Sequence, residues 1–600
     1  MKASVKKILA ELNEKIQSNP HDAAALISRA AVYSGAKEYG MAIIDYTRAL
    51  ELQPDDPGIL RERGYAFYRN YMNDPALADL DRSIELEPDD ANTFRYCGYA
   101  YFEKQEYHKA LAAYTKSIEL DSDYAETFAA RAEVYFGKQD YDKAIVDYDR
   151  AIGLEPDEPD HFKRRGVIFN QKEEYDKAIA DFGAAILLDP KDAEAWERRG
   201  VAWQHKENYD NAQADYDKAL SLNPDNADTL WNRACLYYFI REFDKALADF
   251  NRAIELAGEK SLYCNGRGLV LFAKKDFVHA AEDFTKAIEG DPGDSSLYGN
   301  RGEAYLAVGS YDQAIADFTK LIELKPETID AFYKRSEARV RKGDLALAIA
   351  DCERILALDP ANLKAFSRRG EIFFAQGKLD KAIGDLSRII EKDPGDTETL
   401  RFRSMAYFRK HDYDHALTDL NQLIGLKPND VDALAQRAMV FMALEKIDKA
   451  ISDLSKAIAL APRNAQIFMF RGDAYHAKEQ YSKAVADYTR AIQIDRTSAE
   501  FYERRGDSYM ELKDRVHALA DFNKAIELDP NHVMALVCRG TIYSLKKDYH
   551  KAVSDFNRAL SLDPGNILAL TNRGKTMMSL GRPDLALADF EKAQKLEDRY

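Results

Sequence analysis

Tryptophan and cysteine are scarce in this chain, with three Trp and five Cys among 600 residues. Cys97, Cys235, Cys264, Cys352 and Cys538 form no CxxC and fall inside helical patterns. That excludes a disulfide framework. It points to reduced thiols that pack as small apolar groups, and to a cytoplasmic setting. No apolar run reaches the roughly 18 residues of a membrane span. The N-terminal stretch is broken by Lys2, Lys6, Lys7, Glu11, Glu14 and Lys15, so no signal peptide is read there. Basic charge is in deficit, 85 Lys and Arg against 102 Asp and Glu, for a formal charge of −17. Neither nucleic acid nor an anionic membrane is therefore an expected partner. There is no HExxH, no glycine-rich phosphate loop and no GxSxG, and His411 and His415 straddle a turn. No catalytic residue, metal or cofactor is expected, and the chain is read as a non-enzyme.

What the chain does contain is a period. Fourteen of its 18 prolines, from Pro20 and Pro54 to Pro530 and Pro564, lie on one grid of spacing 34. Slots counted from Ala23 give seventeen gap-free repeats, 23–56 through 567–600, after an N-terminal half-repeat over 1–22. Each repeat reads as two helical patterns, Asp160–Lys172 and Tyr175–Leu188 in the fifth. Proline ends the second helix and stiffens the exit. Acidic residues such as Asp142, Asp176 and Asp210 open the second helix, where a carboxylate suits free N–H groups and the positive dipole end.

Slot 8 is always Gly, Ala or Ser, and slot 20 is always Ala, from Ala42 to Ala586. Large residues fill the complementary slots, such as Phe94 and Trp196 at slot 4, Tyr33 and Trp203 at slot 11, and Tyr46 and Phe182 at slot 24. A mid-helix glycine costs about 1 kcal/mol relative to alanine, so close helix approach is its reason here. At these residues the chain resembles the tetratricopeptide repeat family over 23–600. The resemblance implies an all-α fold, a right-handed α-solenoid superhelix of about 17 helix–turn–helix repeats whose first helices line a concave groove.

Slot 7, usually a core leucine in that family, is here Arg in sixteen of seventeen repeats, and slot 23 is Asp in sixteen. Both exceptions, Cys97 and Ala113, fall in the third repeat. Loss of one partner from a buried ion pair costs far more than apolar replacement of both. An Arg–Asp pair inside each repeat, such as Arg165–Asp181, is therefore expected. Both ends read as caps, with Ile8 in the slot of the invariant alanine and Gln594 where the other repeats carry Ile or Leu.

Groove-lining side chains are expected at slots 2, 5, 9, 12 and 13, which share one face of the first helix. Three regions stand out as candidate partner-binding sites. The first is Arg61, Tyr65, Tyr68, Arg69, Arg95, Tyr99 and Phe102, where Arg and Tyr are favoured interface anchors suited to an acidic or aromatic-bearing peptide. The second is Trp231, Tyr238 and Phe239, with Phe272 beside it; the third is the carboxylate series Glu303, Glu337 and Glu371, with Arg341 and Lys334 as counter-charges. The family's carboxylate clamp and asparagine ladder are not supported. Lys163 has the clamp slot but Val167 replaces its asparagine, and only Asn232, Asn300 and Asn572 occupy the ladder slot. The function read from the sequence is a protein-interaction scaffold binding an extended peptide or helix of a partner protein in the groove. The alternatives are a regulatory or targeting subunit of an enzyme whose catalysis lies in another chain, and a self-assembling module joined through its end repeats.

Overall fold

The computed structural model describes residues 3–598, which form thirty-five α-helices, α1 to α35 in chain order, and no strand. α1 spans Ala3–Ser18. Even-numbered helices then begin every 34 residues, from α2 (Ala23–Gly35) to α34 (Ile567–Ser579). Each is followed 16 residues later by an odd-numbered partner, from α3 (Tyr39–Leu52) to α35 (Pro583–Glu597). The helices divide into two compact units, one ending with α18 (Ser295–Ala307) and one starting with α19 (Tyr311–Leu324). Within each unit, helix packs on the next helix in sequence, so every core is local. No helix among the described residues is long and apolar enough to cross a membrane.

Local chemistry sets the helix ends. Residues before the even helices cap them, as Asp56 and Asp192 accept backbone N–H bonds from Ile59 and from Glu194 and Ala195. These helices end in a left-handed residue, such as Glu173 at φ 60°. Its N–H bonds the Asn170 carbonyl and the next N–H bonds that of Phe169, closing the helix end in a Schellman arrangement. Glycine supplies this conformation at Gly309, Gly343, Gly377 and Gly581. The acidic residues that open the odd helices behave differently from the sequence reading. Asp142 and Asp176 sit in the first turn but accept no backbone N–H. They bond instead to Lys172 and Lys206 of the following pair, at 2.6 and 2.5 Å, on the solvent side. The dipole argument stands, while the capping bond is replaced by an exposed ion pair of small worth.

Small-against-large packing holds the helix pairs within each unit together. The slot-20 alanines are fully buried, and the slot-24 aromatics such as Tyr148, Phe182 and Phe522 are buried beside them. A Cβ placed on Gly166 or Gly540 would lie 2.9 or 2.8 Å from Phe182 or Phe556. Ser336 at slot 8 stands against the smaller Cys352. At the N-terminal end α1 packs on α2, burying Leu9 and Ile16 and leaving Ile8 45% exposed.

Arginine and aspartate pair within helix pairs of each unit, as the sequence predicts. From Arg29–Asp45 to Arg573–Asp589, most of these pairs have Nε and Nη2 donating to the two carboxylate oxygens in a parallel fork, at 2.8 and 2.6 Å for Arg165–Asp181. Nη1, the remaining nitrogen, reaches a residue of the preceding pair. Arg63 donates to Thr47, Arg403 to Ser387, Arg437 to Asn421 and Arg165 to Asp149. Arg29 makes the same bond to Asn13 of α1. Where this bond forms, the guanidinium links three helices; Arg369 Nη1 comes only to 3.9 Å from Glu353. The acceptor stands two residues after the aspartate of its own pair. Only Gly183 offers no side chain there, and Arg199 Nη1 passes 3.7 Å from the place of its missing Cβ. In the third pair, α6 (Ala91–Glu103) and α7 (Tyr107–Leu120), Cys97 and Ala113 lie buried in one apolar cluster with Leu77 and Leu80.

Two outcomes follow for stability. Asp487→Ala leaves the Arg471 guanidinium without its fork and should lower the stability of α28 (Ala465–Ala477) and α29 (Tyr481–Ile494) by about 3 kcal/mol. The double change Arg471→Cys/Asp487→Ala, which copies the third pair, should stay within about 1 kcal/mol of the parent. Hydrogen exchange over these helices in a urea series reads both, and equal loss in single and double variants would contradict the pair energetics. Gly183→Ser should stabilise its region by about 1 kcal/mol, from helix propensity and the restored bond to Arg199. An unchanged urea midpoint would argue against the inter-pair bond.

Candidate functional site

The first sequence-predicted region assembles on two neighbouring even helices of the first unit, α4 (Pro57–Arg69) and α6. Tyr65 stacks on Tyr96 with ring centroids 4.4 Å apart, and Tyr68 on Tyr99 at 5.6 Å. Arg69 donates to the Tyr65 hydroxyl at 2.8 Å and lies over the rings of Tyr65 and Tyr39. The result is a ladder of partly exposed tyrosines edged by arginine. Tyr96 completes it and was missed in the sequence because slot 6 lies beside the expected lining slots. Phe102 departs from the ladder. It packs on Tyr107 in the core cluster around Ala110 and Tyr114, an ordinary helix-pair contact.

The two arginines of this region differ in charge balance. Arg61 is held at 3.1 Å by both Glu62 and Asp90, so its charge is spent internally. Arg95 is only 5% exposed, yet no carboxylate forms an ion pair with it among the described residues. Its Nη2 donates to Asn92 at 2.6 Å and its Nε has no hydrogen-bond partner. Tyr124, 44% exposed, lies over its guanidinium at 3.8 Å, with Tyr96 at 5.4 Å. Cation–π contacts offset part of the desolvation cost, but less than a carboxylate would. Tyr99 is covered as well. Burial pushes its hydroxyl well above the usual tyrosine range, and that hydroxyl has no hydrogen-bond partner.

The other two regions are not assembled as sites. Trp231 is half-buried and packs in two core clusters, around Ala234 and Phe250 and around Leu230 and Tyr263. Tyr238 and Phe239 meet each other edge-on at 6.1 Å, with Phe239 exposed. Phe272 packs on Phe277 at 5.0 Å. Of the carboxylate series, Glu337 is met by Arg341 at 2.7 Å, and Glu371 by Ser367 and Arg368 at 3.4 and 3.8 Å. Glu303 belongs to the first unit and the other two to the second. Lys163, the clamp-slot lysine, is tied to Asp160 and Asp192 at 2.8 and 2.7 Å.

A further cluster lies in the second unit, on acids that nothing in the sequence sets apart from its many other carboxylates. Glu503, on α30 (Ala499–Glu511), is 9% exposed, and burial pushes its carboxyl up to about 7. Asp473 on α28 is also raised by burial, although it accepts the Tyr488 hydroxyl at 2.7 Å. A folded-state value above the unfolded one means stability that is fully present below about pH 4.5 and is lost as pH rises through about 7. Glu503→Gln should therefore raise the stability of the α28–α30 region by about 2–3 kcal/mol at pH 8 and change it little at pH 4. Hydrogen exchange at the two pH values reads this, and a gain equal at both would contradict it.

Family models described as TPR repeat match residues 98–139 and 472–513. Models described as tetratricopeptide repeat match 23–56, 129–187, 193–226, 231–295, 300–363, 339–404, 431–464, 499–532 and 522–554. Together they span well over half of the chain. Among curated proteins no match is found. Among solved structures, a tetratricopeptide repeat protein from Parabacteroides merdae is 22% identical, with 42% of this chain and 98% of that one covered and a TM-score of 0.36. The APC/C hetero-tetramer Cut9–Hcn1 is 15% identical, with coverages of 81% and 96% and a TM-score of 0.32. Yeast Tom70 is 17% identical, with coverages of 80% and 97% and a TM-score of 0.33. On the matches along its length and the 34-residue helix spacing, the chain belongs to the tetratricopeptide repeat family.

Proposed function

We propose that the chain is a protein-interaction scaffold that holds an extended or helical segment of a partner protein against the faces of its even-numbered helices. The family's fold is typical of protein–protein interaction. Within that frame, the anchor is the tyrosine ladder of α4 and α6, and the observation that carries the reading is Arg95. It is a buried cation without a carboxylate, beneath the exposed ring of Tyr124, at the end of a stacked set of tyrosines. Rigid amphipathic rings offer contact area at low entropic cost, and an unspent guanidinium rewards an incoming anion. The partner segment is accordingly acidic, with an aromatic or apolar side chain that lies on the rings.

Tyr65 and Arg69 are the probes of choice, because both are accessible and neither sits in a fully buried cluster. A photo-crosslinking residue at position 65 should trap one protein in the native host. Tyr65→Ala and Arg69→Ala should each weaken retention of that protein about tenfold or more, the effect of losing an interface anchor. Unchanged retention in both variants, with helicity intact by circular dichroism, would remove this site.

A further inference from the structure

The even-helix face of the second unit carries a feature that the tyrosine ladder does not use. α24 (Thr397–Arg409) and α26 (Val431–Ala443) enclose a pocket of about 310 Å3 lined by Met405, Phe408 and Met439. Met405 and Met439 are 37% and 38% exposed. Thioether side chains adapt to varied apolar shapes, which suits a surface that receives a helix. Gln436 also lines the pocket, and its Oε1 is buried with no donor in reach. Arg409, on the α24 side, lies over Phe374 at 4.4 Å.

Further along the same face the chemistry becomes acidic. α26 packs on α28, and α28 on α30. Glu503 receives no hydrogen bond among the described residues, and its nearest cation, Arg504 Nε, stands 3.7 Å away. That one guanidinium is shared with Glu500 at 3.5 Å and Asp473 at 4.0 Å. Asp507 faces His476 Nε2 at 3.5 Å, a buried nitrogen without a hydrogen bond. Three carboxylates thus share one permanent positive charge, with Asp507 beside them. No group of these side chains among the described residues is placed to hold a metal ion. A buried carboxylate that lacks donors is stabilised most by a desolvated cation that brings its own N–H groups.

We propose that this face is the docking site of a basic amphipathic segment of a partner protein, whose apolar side chain enters the Met405–Phe408–Met439 pocket while a Lys or Arg pairs with Glu503 and Asp473. An apolar trough that runs into an acidic end is complementary to a helix with an apolar stripe and a basic flank. The inference rests on the scaffold reading but not on the tyrosine ladder, since the two surfaces lie in different units.

The test uses the full chain and a fluorescent Leu/Lys amphipathic helix of about 18 residues, five turns. A Leu/Glu peptide with the same apolar stripe is its control. Anisotropy should show binding of the Leu/Lys peptide and at least tenfold weaker binding of the Leu/Glu peptide. Asp473→Asn/Glu503→Gln should weaken the Leu/Lys peptide at least tenfold, and so should Met405→Ser/Met439→Ser. Tyr65→Ala should leave it unchanged, so failure here and failure of the tyrosine ladder are read separately. Asp142→Asn/Asp176→Asn, which removes exposed acids of the first unit, should also have no effect. Equal weakening by that control would mean diffuse attraction to an acidic chain and would overturn the proposal. So would insensitivity to the methionine changes. Growth of mass with concentration in light scattering, abolished by Met405→Ser/Met439→Ser, would assign the face to a second copy and overturn it as well. Circular dichroism of each variant keeps loss of fold apart from loss of binding.

Discussion

Everything regular in this structure passes through one interaction, the guanidinium fork of slot 7. Two nitrogens close a bidentate bond to the aspartate of the same helix pair, and the third reaches back to the pair before. A purely apolar interface of alanine and leucine could slide by a turn at modest cost, because its contacts are non-directional. Three fixed donors cannot. The arginine therefore sets the register within a pair and the stagger between pairs, which is the use of buried charge best supported in other helical assemblies. Its net contribution to stability is smaller than its geometry suggests, since both charges give up water to form it.

The third pair shows what the chain does without that bond. Cys97 and Ala113 replace both charges together and pack against leucine, leaving Asp81 of the preceding pair to face a thiol instead of an arginine. It is also in this pair that the molecule carries its other anomaly, a buried Arg95 with no carboxylate. Two departures from the repeat rule in one helix mark it as a place where sequence answers to something besides packing. The tyrosines of α4 and α6 stack in front of it, so the surface that breaks the rule is also the most distinctive surface of the first unit.

How much of this could be read in the sequence depended on whether the signal was periodic. The proline grid, the invariant alanines and the Arg/Asp slots repeat so often that fold and ion pair were both legible. The acceptor two residues after each aspartate was equally present, yet it varies among Thr, Ser, Asn, Asp and Glu, and only their shared ability to accept a bond unites them. Site residues were harder because each occurs once. Tyr65, Tyr68 and Tyr99 were found at lining slots, but Tyr96 was not, since a tall ring reaches across from the next slot. Phe102 and Trp231 were placed on the lining and instead complete cores, because a large side chain at slot 5 or 12 can turn toward the neighbouring helix. Arg61 was counted as available charge, and a carboxylate 29 residues away in sequence neutralises it.

The central claim is that successive pairs are coupled through the arginine's third bond as well as through apolar contact. Native-state hydrogen exchange of the full chain, resolved helix by helix, tests it most directly. If the claim holds, blocks that open together are bounded where that bond is missing. Those places are between α5 (Asn73–Leu86) and α6, where Cys97 stands, between α11 (Tyr175–Leu188) and α12 (Ala193–His205), where Gly183 faces Arg199, and between α21 (Leu345–Leu358) and α22 (Leu363–Ala375), where Arg369 Nη1 stands 3.9 Å from Glu353. Blocks bounded elsewhere, with no break at any of these junctions, would show that apolar packing alone couples the pairs.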